Sequence, residues 1–498
     1  MTFISRILGF VRDMLVAQIF GVNAAVDAFN VAFKIPNFMR NLFAEGSFSQ
    51  AFVPVLSDYR QNRSVTEVRT FISHMAASLG LILFLVTILG VVGAPIVIKI
   101  FGPGLDPYRF HLASEMLRIT FPYLMLISLT AFCGAILNSY GMFGVPAFTP
   151  ALLNICLIAT AFGVTHFFAV PIEAQAVGVL LAGFVQFFFQ LPFLHRLGFL
   201  PRPRFNWRDE GVQRVLKLML PALFGASVAQ VSLLLNTIFA SFLKVGSVTW
   251  LYYSERLAYF PLGVFGVALL TVVLPHLSRQ HSAKSREGFA STLDWGIRCN
   301  LLIGIPASLT MLILAGPLVT SLFDYGKFSV YDVFMTRQSV IAYSLGLQSF
   351  MLVKVLSAAF YAQQDTKTPV RIAVITVLVS IALNAILIFP LAHAGLALAS
   401  SLGSWLNTVL LAWALYKRDL YRFQPGWGKF IVRLLFANSV VGLLLWFGAG
   451  NTLQWIGWHW TQRLDHVMFL GVSAILVYLG CLWLSGMRMQ DFKADAYN

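Results

Sequence analysis

Apolar runs long enough to cross a lipid bilayer follow one another along almost the whole of this chain. A bilayer core takes about 20 apolar residues per helix. Fourteen segments meet that requirement: 3–20, 25–56, 72–101, 112–138, 146–168, 174–195, 213–241, 247–277, 293–322, 334–361, 369–391, 394–416, 429–449 and 466–486. The second is too long for one straight span. It contains Pro36, Gly46 and Pro54, so a bent or broken helix is expected, and broken backbone at membrane depth is tolerated where it lines a cavity. The composition agrees. Only 11% of the 498 residues are charged and 58% are hydrophobic, with a mean hydropathy of +0.78, whereas a soluble domain carries roughly 25% charged residues. The expected fold is an all-α polytopic membrane protein of about 14 transmembrane helices. No cleavable signal peptide is evident, so the first segment is expected to be a retained helix.

The loops orient the spans. Lys and Arg number 22 after even-numbered spans and 6 after odd-numbered ones (Arg109, Arg118, Lys244, Lys327, Arg337 and Arg463). The positive-inside rule then puts both termini and the even loops in the cytoplasm. The net charge of +15 is accordingly read as topology and contact with anionic membrane lipids, with no nucleic-acid partner.

A weak internal repeat runs through the chain. Pro54-Val55-Leu56-Ser57 returns as Pro275-His276-Leu277-Ser278, and the Ala135/Pro146 pair returns as Ala358/Pro369. A shift of six spans gives two parallel six-helix lobes, and transporters of that design bind substrate near the membrane midplane. The expected domains are an N-lobe at 1–195, a basic cytoplasmic linker at 196–212 and a C-lobe at 213–417. The last two spans and a cytoplasmic tail fill 418–498.

Charge stands inside the first two spans: Arg6, Arg12, Asp13, Asp27, Lys34, Arg40 and Glu45. The second half adds Glu255-Arg256 and Lys354, and span 4 begins with Glu115 and Arg118. Ionisable groups within a bilayer are expensive and mark function by default. Snorkelling to headgroups or ion pairing between helices is the plainer explanation, and it is weakest for Arg12, Asp27, Arg40 and Arg256. Arginines sharing a cavity suit a phosphate or diphosphate, whose oxygens match the guanidinium fork. The acids would hold those arginines in place.

Other signals carry less. Gly326-Lys327 lacks the spacing of a P-loop. The nine histidines show no metal-ligand cluster, and Cys133, Cys156, Cys299 and Cys481 read as buried thiols. No metal or cofactor is called for. Trp455, Trp458 and Trp460 fit an interfacial aromatic belt.

Several motifs resemble those of the MurJ (MviN) lipid II flippases. They are Ser5-Arg6-Ile7-Leu8-Gly9-Phe10-Val11-Arg12-Asp13, Asp27-Ala28-Phe29, Phe33-Lys34-Ile35-Pro36-Asn37 and the stretch Phe43-Ala44-Glu45-Gly46-Ser47 through Pro54. The second half adds Tyr252-Tyr253-Ser254-Glu255-Arg256-Leu257 and the stretch from Phe360-Tyr361 through Asp365-Thr366-Lys367-Thr368-Pro369. The resemblance covers essentially the whole chain. It places the chain in the multidrug/oligosaccharidyl-lipid/polysaccharide exporter superfamily. It implies two six-helix lobes around a cationic cavity, two extra helices forming a groove for a polyprenyl tail, and export of lipid II across the bacterial inner membrane. The positions matching functionally important ones are Arg6, Arg12, Asp27, Arg40, Glu45, Thr249 and Arg256, with Ser5 and Asp13 as companions. Tyr259 stands where members often carry an acid, which removes an expected ion pair with the span-8 arginine. Members also usually begin further upstream than Met1, so a shortened or misassigned start is expected here.

The resulting expectation is a flippase that moves lipid II from the inner to the outer leaflet by alternating access. Membrane potential or an ion gradient would drive it, and other cell-wall synthesis proteins are candidate partners. A related drug/cation antiporter, or a flippase for another polyprenyl-diphosphate oligosaccharide, is the alternative. An antiporter cavity would be rich in acids, and this set is net basic. A polyprenyl-phosphate glycosyltransferase would need carboxylate clusters and a sizeable extramembrane domain, and no loop here is long enough to form one.

Overall fold

The computed structural model describes residues 2–40 and 48–487, with the backbone alone at 2–4 and 220–233. The described residues form helices joined by short turns. Ten helical stretches among them are long and apolar enough to cross a membrane. Two compact units emerge, residues 1–249 and 250–498.

The first unit holds α1 (Thr2–Phe20), α2 (Ala24–Arg40), α3 (Phe48–Asn62), α4 (Val65–Val92), α5 (Ala94–Phe101), α6 (Pro107–Thr120), α7 (Tyr123–Ser139), α8 (Gly144–Gly163), α9 (Glu173–Arg196) and α10 (Glu210–Ser241). Short polar signals set the joints. Gly21 takes a positive φ of 68° to turn the chain after α1, a conformation glycine adopts without steric cost. Asn23 then accepts from the Ala25 and Val26 amides and starts α2. Ser64 and Glu67 form a capping box for α4. The second predicted span is divided between α2 and α3, whose helices tolerate Pro36 and Pro54; the join at 41–47, with Gly46, lies outside the described residues. Phe48, Phe52, Phe71 and Phe132 form a buried aromatic centre where α3 meets α4 and α7, with Phe52 stacked on Phe48 and tilted against Phe132, ring centres 5.1 Å apart in each pair.

Helices in lipid associate through close packing more than through water exclusion. Small residues mark those contacts. A Cβ on Gly90 would fall 2.0 Å from the Phe121 ring, and one on Gly178 would fall 2.3 Å from Thr160 Oγ1.

α11 (Ser247–Pro261) contains the division between the units. A π-helical turn, Leu262–Gly266, links it to α12 (Val267–Ser282). The rest of the second unit comprises α13 (Arg286–Ile313), α14 (Ala315–Phe323), α15 (Val330–Tyr361), α16 (Lys367–Lys417), α17 (Trp427–Ala449), α18 (Thr452–Ile456) and α19 (Trp460–Leu484). α15 is its most enclosed span. α16 joins the eleventh and twelfth predicted spans across a kink at Ala392, where φ is 47° and ψ is −127°.

The two units repeat one plan. α4 passes to α5 at Gly93 and α13 to α14 at Leu314, a shift of 221. Asp106 caps α6 and Ser329 caps α15, a shift of 223. α17 to α19 follow the stretch in which these joints and caps recur.

The tryptophan cluster departs from a simple interfacial belt. Trp460 is exposed, but Trp455 is fully buried and donates to the Ala449 carbonyl at 2.6 Å. Its ring packs in a core with Leu314, Val441 and Leu445, and Arg463 is buried nearby. Its guanidinium donates to the carbonyls of Trp455, Ile456, Thr320 and Asp324 and to the Asp324 carboxylate, at 2.8–3.1 Å. One cation thereby satisfies the open carbonyl ends of α14 and α18 and fixes α19 against them. At the other end of α13, Arg298 and buried Asp294 do the same for the chain leading into α17. Asp294 accepts from Arg298, Tyr421 and Trp427 at 2.6–2.7 Å, and Arg298 donates to the Pro425 carbonyl at 3.1 Å.

Candidate functional site

Two polar knots form around the first pair of helices. In the first, Arg12 of α1 is buried and directs Nε and Nη2 to Asp13 Oδ1 at 3.0 and 2.5 Å. Its Nη1 donates to Asn154 Oδ1 at 3.0 Å. Asn154 lies on α8, which packs against α1, and its amide nitrogen donates to the Ser5 carbonyl at 3.1 Å and to the Pro150 carbonyl. Ser5, Arg12 and Asp13 are thus gathered around one asparagine. The arrangement fixes a buried guanidinium partly with a neutral amide, which orients the cation without cancelling its charge.

The second knot surrounds Asp27, which is fully buried in the first turn of α2. Its Oδ2 accepts from the Gly246 amide at 2.6 Å. Its Oδ1 accepts from the Thr249 amide at 3.0 Å and from the Thr249 hydroxyl at 2.6 Å. Asn30, one turn further along α2, donates to Thr249 Oγ1 at 3.0 Å. Arg109 Nη1 stands 3.6 Å from Asp27 Oδ2, while Arg109 Nε binds Asp106 at 2.5 Å. Asp27 and Thr249 are therefore brought together, and the carboxylate meets the first amides of α11, as an anion at a helix start should. Its ion-pair partner is Arg109.

The remaining site residues are scattered or single. Arg40 is half-buried at the end of α2 and holds Asn37 Oδ1 with Nε and Nη2 at 3.1 and 2.9 Å. Arg6 is half-buried and makes no ion pair with a described residue. Glu45 lies outside the described residues. In the second unit Arg256 is exposed, with its guanidinium 5.6 Å from the centre of the Tyr252 ring. Tyr259 packs its ring 6.3 Å from Tyr343 and 5.6 Å from Phe350 of α15. At that position the chain makes an aromatic contact where the family pattern suggests an ion pair. Lys354, one turn beyond Phe350, is exposed.

Sequence reading missed Asn154, Asn30 and Arg109. Arg109 was counted as a loop cation, yet it is 5% exposed. Asp106-Pro107 is an N-cap followed by a first-turn proline, a start signal that puts Arg109 in the first turn and within reach of Asp106. Asn154 had a weaker signal, a lone amide in the apolar run Ala151–Cys156, where polar groups usually bridge helices.

Comparison with known proteins agrees with the architecture. Residues 16–460 match the family model described as lipid II flippase MurJ. A protein of Haemophilus influenzae named as a probable lipid II flippase MurJ is 45% identical, over 98% of each chain. A solved structure of a lipid II flippase MurJ in an inward closed conformation superimposes with a TM-score of 0.83 at 27% identity, covering 98% of both chains. An inward-facing transporter of the multidrug resistance MATE family shares the fold, with a TM-score of 0.71 at 14% identity over 84% of this chain and 95% of its own. This chain belongs to the lipid II flippase MurJ family.

Proposed function

We infer that this chain moves lipid II from the inner to the outer leaflet of a bacterial inner membrane by alternating access. The single observation that carries the site assignment is the buried guanidinium of Arg12, oriented by Asp13 and Asn154. Holding a cation in a fixed direction inside an apolar helix bundle is expensive, and a diphosphate suits its forked donors. Arg12, Arg40 and Arg256 are the proposed phosphate-binding cations. Ser5, Asp13, Asp27, Glu45 and Thr249 shape and orient the site, and Arg6 adds positive potential. The polyprenyl tail stays in lipid or against α17 and α19.

Both termini face the cytoplasm on this reading, in keeping with the basic even-numbered loops. An inside-negative potential favours outward movement of an anion by roughly 2.3 kcal/mol per charge per 100 mV. The same field draws an empty cationic site back inward, so the potential drives the cycle. Proteins that make or consume the precursor are the natural partners.

The test is depletion of the resident flippase in cells, with lipid II in the outer leaflet as the readout. This chain should restore outer-leaflet lipid II, and Arg12→Ala and Arg256→Ala should not. Full rescue by either variant would remove that arginine from the site. Undiminished transport after collapse of the potential would overturn the driving force.

A further inference from the structure

The segment joining α9 to α10 reads Arg196-Leu197-Gly198-Phe199-Leu200-Pro201-Arg202-Pro203-Arg204-Phe205-Asn206-Trp207-Arg208-Asp209. It carries four arginines and no acid before Asp209. Its two ends are fastened to the first unit. Phe199 is buried in the aromatic core shared by α3, α4 and α7. Asp209 Oδ2 lies 2.8 Å from His74 Nδ1 on α4, and the Arg204 amide reaches the Ser73 carbonyl at 3.4 Å. The middle is then displayed and does not fold inward. Arg202, Arg204 and Arg208 are exposed, and so are Leu200, Phe205 and Trp207, at 42%, 57% and 44%.

The order of these residues matters. Residues 201–206 have no helical turn, and in extended chain alternate side chains face opposite ways. Arg202, Arg204 and Asn206 then form one edge, and Pro203 and Phe205 the other. Phe205 and Trp207 stay together, with ring centres 5.6 Å apart. Exposed aromatic rings cost free energy in water, and they gain it at the headgroup level of a membrane, where tryptophan concentrates. Arginines beside them favour phosphate-bearing headgroups.

We propose that residues 200–208 form a membrane-surface anchor: Phe205 and Trp207 enter the headgroup layer, and Arg202, Arg204 and Arg208 bind anionic phospholipid. Charge complementarity selects that occupant, since nothing acidic in the segment offsets the arginines. Next to an anionic surface each arginine favours contact about fivefold. The inference needs only that the chain spans a membrane and does not depend on the transported substrate.

The full-length protein in lipid nanodiscs provides the test. Discs are prepared with brominated phosphatidylglycerol or brominated phosphatidylcholine, and the emission of Trp207 is taken as the difference between the wild type and Trp207→Phe. Quenching of that difference emission, stronger with phosphatidylglycerol and weakened by salt, is the expected result. The triple variant R202Q/R204Q/R208Q should retain the quenching but lose the several-fold preference for phosphatidylglycerol. Unquenched Trp207 in both discs would overturn the proposal and leave the segment facing water or a protein partner. Equal quenching by both lipids in the wild type would overturn the headgroup assignment. Thermal unfolding of each variant, unchanged from wild type, verifies that the fold is intact.

Discussion

Replacing Asn154 with leucine separates orientation of Arg12 from packing of the helices around it. The side chains are similar in size, and Asn154 sits in an apolar seam between α1 and α8, so the fold should hold. The substitution removes the acceptor 3.0 Å from Arg12 Nη1 and the donor to the Ser5 carbonyl. A hydrogen bond to a charged group is worth about 1.5–3 kcal/mol. If that bond serves to aim Arg12 at a ligand, its loss appears in transport as a decrease of about 10- to 150-fold, at 1.4 kcal/mol per decade. The melting temperature in detergent should fall only modestly, because Arg12 keeps its two bonds to Asp13 while leucine fills the space of the amide. The assay is outer-leaflet lipid II in depleted cells carrying Asn154→Leu, alongside thermal unfolding of the purified variant. Asn154→Asp supplies a control of opposite sense. A second carboxylate would hold Arg12 more tightly and neutralise it, so transport should again fall although the fold stays firm. Normal flipping by Asn154→Leu, or a transport loss matched by a parallel loss of stability, would refute the orienting role.

Three further substitutions test the buried charges. Asp27→Asn should be nearly as damaging as Asp27→Ala, because the amide nitrogen must face one of the donors at Gly246 and Thr249. An unmatched buried donor costs about 1–3 kcal/mol, visible in thermal unfolding, and a wild-type melting point for Asp27→Asn would contradict it. Arg463→Met strands the half-buried Asp324 carboxylate and four carbonyls, and should cost about 3 kcal/mol near neutral pH. Burial lifts the Asp324 carboxyl above its ordinary range, and Arg463 opposes that lift. A raised carboxyl supports the fold below its unfolded pKa and withdraws that support as pH climbs through the folded value. The defect of Arg463→Met should therefore shrink on acidification, and a pH-independent defect would show that the ion pair is not its source. Asp365 behaves the other way. Partial burial pushes its carboxyl up, but bonds from Thr368 and Arg418 outweigh that and bring it down to about 2. Its contribution is present above the ordinary carboxylate range and lost as pH falls towards 2. It is on the order of 1 kcal/mol after solvent screening, so Asp365→Asn should lower the melting point at pH 7 and leave it unchanged near pH 2.

The spans were legible because a bilayer imposes a length on every helix, and α8, α9, α15 and α17 lie within five residues of their expected bounds. The repeat was legible at the prolines and is carried further by features a sequence shows only faintly, the joints at Gly93 and Leu314 and the caps at Asp106 and Ser329. What resisted reading was pairing at long range. Asp27 meets its partners 219 and 222 positions away, and Arg12 meets Asn154 at a distance of 142. No local periodicity encodes such distances. The burial of Trp455 stayed hidden for a related reason: three tryptophans beside a span look alike, and only packing at long range, against Leu314 and Val441, sets one apart.

The nature of each partner now separates the buried charges that the sequence could only group together. Arg463 binds four backbone carbonyls besides its carboxylate, and Asp27 binds two backbone amides. Backbone groups at a helix end have no rotamers through which to yield, and abandoning them reopens unsatisfied peptide groups in an apolar setting. A charge engaged in that way holds helices together and is poorly placed to exchange partners. Arg12 is held by the Asp13 carboxylate and the Asn154 amide, and Arg40 grips Asn37. Those are side chains, which rotate between staggered wells at modest cost. A guanidinium so held changes from protein oxygen to phosphate oxygen without disturbing a helix. These bonds agree with the proposed role of Arg12 and Arg40 as phosphate-binding cations, whereas Asp27 with Thr249 forms a joint of the first unit. On this criterion, substitutions at Asp27 should register first in stability, and those at Arg12 and Arg40 first in transport.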